Sequence, residues 1–122
     1  MTLEVRYAER PSYLLVRACG KWEELDAIEE IEALREEAEK RGITRLLLDV
    51  RNILPPDSQM TRLATGEYIA NIFTRPFRVV ALAEPEMIDG ITENSAVSQG
   101  AIFKVFADEK AAIEWLMTDN NN

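Results

Sequence analysis

The stretch from Gly42 to Ser58, GITRLLLDVRNILPPDS, constrains this chain more than any other. In its first half Ile43, Leu46, Leu47, Leu48 and Val50 form a nearly continuous apolar run. That is the pattern of a central strand in a parallel sheet covered on both faces, not the alternation of a strand with one wet side. Its second half reads as a loop stiffened by Pro55-Pro56, with Asp57 or Ser58 placed to cap a following helix. Open α/β sheets set their binding sites just beyond the carboxyl ends of such strands, so function is expected around Asp49 to Met60.

The flanking patterns supply the rest of the sheet. Leu3, Val5 and Tyr7 alternate with Thr2, Glu4 and Arg6, predicting a half-buried strand whose charged face suits a sheet edge. Arg10-Pro11-Ser12 turns the chain into a second strand, Tyr13 to Cys19, antiparallel to the first and ended by Gly20. From about Glu24 to Arg41, Leu25, Ile28, Ile31, Leu34 and Ala38 recur at helical steps, with Gly42 as C-cap and Lys40 and Arg41 where the helix dipole favours cations. A second helix is expected to run to Phe73, and its apolar residues Met60, Leu63, Ala64, Tyr68, Ile69, Ala70, Ile72 and Phe73 cover more than one stripe. Such breadth implies a second subunit, a walled apolar cavity, or close covering by the core. Gly66 within it would permit close approach of backbone or ligand.

Arg75-Pro76 breaks that helix, and Phe77 to Ala83 reads as the next buried strand. A weaker helix over Met87 to Ser98, a strand over Ala101 to Phe106, and a final helix capped by Asp108 complete the order. Ala111, Ala112, Trp115 and Leu116 form the inward face of that last helix, and residues 118–122 are a polar tail expected to fray. The expectation is one α/β domain over residues 1–122, ordered ββαβαβαβα. Its five-stranded sheet is mostly parallel, with the first strand antiparallel at the edge and about four helices.

A chain of 122 residues can bury roughly 65% of its unfolded surface, so no staple is required. Cys19 is the single cysteine, which excludes an internal disulfide, fits a reducing cytoplasm, and reads as a small buried hydrophobe on its strand. The opening MTLEVRYAER has no apolar core and no run of about 18 apolar residues follows, so neither a signal peptide nor stable membrane insertion is expected. A net charge of −8 argues against nucleic acid and would steer in a partner with a basic surface.

Three stretches resemble the STAS fold of anti-sigma-factor antagonists and sulfate-transporter tails, in its free-standing, bacterial, sporulation-antagonist-like branch. They are RLLLDV at Arg45 to Val50, the Asp57-Ser58 pair, and VFADEKAAIEWL at Val105 to Leu116. The resemblance implies a regulatory protein that binds a protein partner through the loop and helix after the central strand. In the antagonists an Asp-Ser-Ser-Gly sequence carries a phosphorylated serine; here Asp57 and Ser58 match its first half, and Gln59 and Met60 depart from the rest. That makes Ser58 a candidate phosphoacceptor with Arg62 as a phosphate contact, whereas the residues alone read Ser58 as a helix cap. The branch commonly has Arg-Gly before its last strand, where this chain has Gln99-Gly100. Its likeness to the lipid-carrying CRAL-TRIO fold implies an apolar pocket.

Enzymatic chemistry finds little support in the residues. The chain has no histidine, its cysteine has no obvious partner, and no Gly-rich phosphate loop occurs. Asp49, Asp57 and Glu67 are the only carboxylates this arrangement brings near one another. No cofactor and no metal are expected. Asp49, Asn52, Asp57, Ser58, Met60, Arg62 and Tyr68 are the candidate partner- or ligand-binding residues. A small apolar ligand in a pocket lined by Met60, Met87, Ile69 and Phe73 is the alternative to a protein partner, and a two-fold homodimer is compatible with both.

Overall fold

The computed structural model describes residues 3–54 and 58–118, apart from the side chains of Glu24 and Leu25. Pro55, Pro56, Asp57 and residues 119–122 lie outside the described residues, as does the place of Leu25 in the first helix stripe. The elements are β1 (Leu3–Glu9), β2 (Leu14–Lys21), α1 (Glu24–Arg41), β3 (Arg45–Leu54), α2 (Gln59–Ile72), β4 (Arg78–Leu82), a 3₁₀ turn (Pro85–Met87), α3 (Ile91–Ser98), β5 (Phe103–Phe106) and α4 (Glu109–Met117).

The five strands lie in sequence order, β1 antiparallel to β2 and all other pairs parallel. The apolar run of β3 is therefore mid-sheet, where Leu46 and Leu47 lose all contact with solvent. Each connection from β2 to β5 steps to the next neighbour in the same direction, and right-handed crossovers then put α1, α2 and α3 on one face. Ile31, Ile69 and Ala96 from those helices pack on Val16, Leu48, Ala81 and Phe103. On the opposite face Ala112 and Leu116 of α4 pack on Leu15, Leu47, Val80 and Leu82.

Local rules fix most element ends. Gly42 takes φ 69° and its N–H reaches back to the carbonyls of Ala38 and Glu39, a left-handed cap that a Cβ would penalise. Ser58 Oγ accepts from Thr61 N at 3.1 Å, and Asp108 Oδ2 accepts from Ala111 N at 2.9 Å, so both expected caps are made. Arg78, buried at the start of β4, donates to the Trp115 carbonyl from Nη2 at 2.9 Å and lies 4.0 Å over the Trp115 ring. It ties α4 to the sheet.

Several expectations are corrected. The inward stripe of α1 keeps Ile31, Leu34 and Ala38 as expected, but Ala27 is buried in place of Ile28, which is exposed. Gly20 does not end β2 but lies inside it, paired with Ile53. Cys19 is exposed, its Sγ 3.7 Å from Glu4 Oε1, because the cluster around α4 reaches β2 at Leu15 and does not extend to the end of the strand that carries Cys19. The helix expected over Met87 to Ser98 is broken: Ile88 is extended, Gly90 takes φ 83°, and α3 starts only at Ile91.

Candidate functional site

The carboxyl ends of β3 and β4 and the first half of α2 meet at one rim of the sheet. Between β2 and β3 the register slips, Arg17 facing Asp49 and Cys19 facing Asn52, so β3 carries one extra residue in a bulge. Val50 within the bulge and Ile53 beyond it both face the helix side, and Leu54 is left 64% exposed.

Beneath α2 lies a largely apolar cavity of about 220 Å³. Its walls include Val16, Leu48, Ala81 and Phe103 from the sheet, Ile31 and Leu34 from α1, and Ile69 and Phe73 from α2. Met87 and Ile88 and the polar side chains of Thr65, Glu84, Asp89 and Glu93 border it. Trp22 completes the wall, its Nε1 donating at 3.1 Å to Thr65 Oγ1, which itself donates to the Thr61 carbonyl at 2.8 Å.

The cavity exists because α2 is held by its neighbours. A Cβ built on Gly66 would stand 2.6 Å from Ser95 Cβ and 2.6 Å from the Thr92 carbonyl oxygen, so the glycine lets α2 and α3 touch backbone to side chain. Ser95 Oγ donates to the Leu63 carbonyl at 2.8 Å and Thr92 Oγ1 to the Arg62 carbonyl at 3.2 Å. At its other end α2 presents the Ile72 carbonyl to Arg35 Nη1, a cation at a helix C-terminus.

The expected site residues separate into groups. Asp49 is buried, with 6% exposure, and both its oxygens accept from the Arg51 guanidinium at 2.9 Å. Arg51 N donates to it at 3.2 Å and Arg17 Nε approaches to 3.8 Å. The Arg51 hydrogen bonds hold its carboxyl below the ordinary aspartate value against the opposing effect of burial. Asn52 is exposed on β3. Ser58 is exposed at the α2 N-terminus, with its oxygen also 2.9 Å from Thr61 Oγ1.

Arg62 pairs with Asp89 across the α2–α3 seam. The backbone N–H of Ile91, then this arginine, lower the carboxyl of Asp89. Tyr68 packs against the main core. Met60 does not line the cavity but is 72% exposed, because it precedes the helical turn that faces the sheet; Met87, Ile69 and Phe73 do line it. Of the three carboxylates set together by sequence, Asp49 is engaged by arginine, Glu67 is exposed on α2, and Asp57 lies outside the described residues. Sequence reasoning did not find Arg51, Arg78, Trp22 or Asp89. Only the spacing of Arg51 two residues after Asp49 carried a local signal, since alternate residues of a strand share a face.

No family model matches the chain, and no curated protein sequence matches it. Solved structures do match in fold, among them the following two. One is an uncharacterized protein of the DUF3478 family with a SpoIIAA-like fold from Shewanella loihica PV-4, at TM-score 0.56 and 23% identity over 94% of each chain. The other is an anti-sigma factor antagonist from Mycobacterium paratuberculosis, at TM-score 0.63 and 9% identity over 96% of each chain. The strand order, the single antiparallel edge and the placement of the four helices are thus those of the SpoIIAA-like fold.

Proposed function

We propose that this protein is a non-catalytic regulatory module that recognises a protein partner with the end of β3 and the first half of α2. The observation that carries this reading is apolar exposure at that rim: Leu54 at 64%, Met60 at 72% and Leu63 at 42%. Single exposed apolar residues mean little. Here Met60 and Leu63 are three apart on one helix and so share a face, and Leu54 ends the strand that leads to it. A net charge of −8 would steer in a basic partner surface. The likeness in fold to an anti-sigma factor antagonist points the same way. Phosphorylation of Ser58 would set a dianion at the α2 N-terminus, where the positive end of the helix dipole stabilises it, two residues from the exposed methionine.

The test is capture from cell extract with wild type, the Met60→Asp/Leu63→Asp pair, and Val97→Asp on α3 as a control. A partner retained by wild type and Val97→Asp but lost by the pair supports the reading; equal capture by all three refutes it. Intact mass after incubation with extract and ATP reads the modification, with Ser58→Ala as the control. Sedimentation separates a foreign partner from a second copy of the chain.

The cavity beneath α2 favours a second reading, a carrier or sensor of a small apolar molecule. An apolar cavity of about 150 Å³ stays dry and binds benzene, and this one measures about 220 Å³. Native mass spectrometry of protein purified without detergent is expected to show a bound species. A clean apo mass that stays unchanged on adding short-chain alcohols counts against it.

A further inference from the structure

We infer that the cavity beneath α2 selects an amphipathic cation, a short-chain alkylamine in its ammonium form, over a neutral or anionic molecule of the same length. The inference rests on the ligand-carrier reading and deepens it.

Size comes first. If about 150 Å³ accommodates the six heavy atoms of benzene, then 220 Å³ accommodates about nine in proportion, the size of octylamine. The walls suit its chain, being Val, Leu, Ile, Ala and Phe side chains for most of their extent.

The polar border decides the head group. The ionisable side chains that reach the cavity are Glu30, Glu84, Asp89 and Glu93 against Arg51 and Arg62. Both arginines are already engaged: Arg51 holds Asp49 through two bonds of 2.9 Å, and Arg62 holds Asp89. An entering carboxylate would have to displace one of those aspartates, leaving it desolvated without its partner. Glu93 Oε1 is committed to Val105 N at 2.8 Å. Glu84 forms no ion pair but lies near enough to Arg51 to feel its charge, whereas Glu30 stands differently, since among the described residues no lysine or arginine forms an ion pair with it. Burial, then the nearby Asp26 and Glu29, push its carboxyl above the ordinary glutamate range, the state of an acid that lacks a counter-charge. An ammonium group beside it supplies one. The Trp22 ring, pinned by its bond to Thr65, adds an aromatic wall of the kind that attracts ammonium groups.

Three probes of equal length separate the possibilities: octylammonium, 1-octanol and octanoate, titrated at neutral pH by calorimetry below their aggregation limits. Wild type is expected to bind octylammonium at least tenfold more tightly than octanoate and several-fold more tightly than octanol. Glu30→Gln should cut the affinity for octylammonium about five- to tenfold and leave octanol unchanged, with circular dichroism confirming an intact fold. Equal affinity for the amine and the alcohol, preference for octanoate, or an unchanged amine affinity in Glu30→Gln overturns the charge selection while leaving the carrier reading in place. Binding of none of the three overturns both.

Discussion

Replacing Gly66 with Ala sets two opposing effects against each other. Helix propensity alone favours alanine at this interior position by about 1 kcal/mol. Against it stands the α2–α3 contact, where the added methyl would meet Ser95 Cβ and the Thr92 carbonyl oxygen at 2.6 Å. Ordinary carbon contacts lie at about 3.5–4.0 Å, so the helices must part by about 1 Å. Overpacking of this kind costs about 1–3 kcal/mol. Separation also stretches the Ser95 bond to Leu63, now 2.8 Å, and the Thr92 bond to Arg62, now 3.2 Å, at about 1 kcal/mol each if lost. The balance is a net destabilisation of about 2 kcal/mol, or roughly 8 °C in Tm for a domain of this size.

Urea unfolding followed by circular dichroism, with a thermal melt beside it, measures the effect. The midpoint should fall with the m-value unchanged. The pair Gly66→Ala/Ser95→Gly should be less destabilised than the two single changes added together, by about 1 kcal/mol, because removing the Ser95 Cβ relieves half of the clash. A Gly66→Ala protein as stable as wild type, or more so, would refute the packing argument and leave propensity as the only operative term.

Asp49→Asn should destabilise by about 2 kcal/mol at neutral pH, since it weakens the forked bond to Arg51; partial exposure of that arginine keeps the figure from being larger. Because the carboxyl of Asp49 is held low in the fold, the unfolded chain takes up its proton first as pH falls. The stability it contributes is complete above the ordinary aspartate value near 4 and drains away below it, so wild type and Asp49→Asn should converge in melts taken down to about pH 2. Arg78→Met should cost about 2–3 kcal/mol and shift the Trp115 emission to the red, because the tie between β4 and α4 is lost. Ser58→Ala should cost about 1 kcal/mol through the lost cap, whereas Ser58→Asp should restore most of it. Thr65→Val should lower stability by about 1 kcal/mol and change Trp22 fluorescence, as the indole loses its acceptor.

Features governed by near neighbours in the chain are legible in the sequence. The apolar run Leu46-Leu47-Leu48 reads as a strand with both faces covered, and it lies third of five. Ser58, Asp108 and Gly42 cap their helices because capping is a matter of three or four residues. Where a pattern left two neighbouring solutions, the structure chose. Ile28 and Ala27 both fit a helical step, and the tertiary packing buried Ala27 and left Ile28 exposed. The break at Ile88 to Gly90 depends on Asp89 accepting from Ile91 N at 3.0 Å, a bond two residues long that a weak helical pattern concealed.

The order of apolar runs and turn residues in this chain determines a mostly parallel sheet with an antiparallel edge, since period and connection length are local quantities. Only the tertiary structure decided that α4 leaves Cys19 bare, that Arg62 pairs with a residue 27 positions away, and that the broad apolar face of α2 is shared among a helix seam, a cavity and solvent. Those outcomes depend on which surfaces meet in space and on the volume left between them, and neither quantity is written in the spacing of residues along a chain.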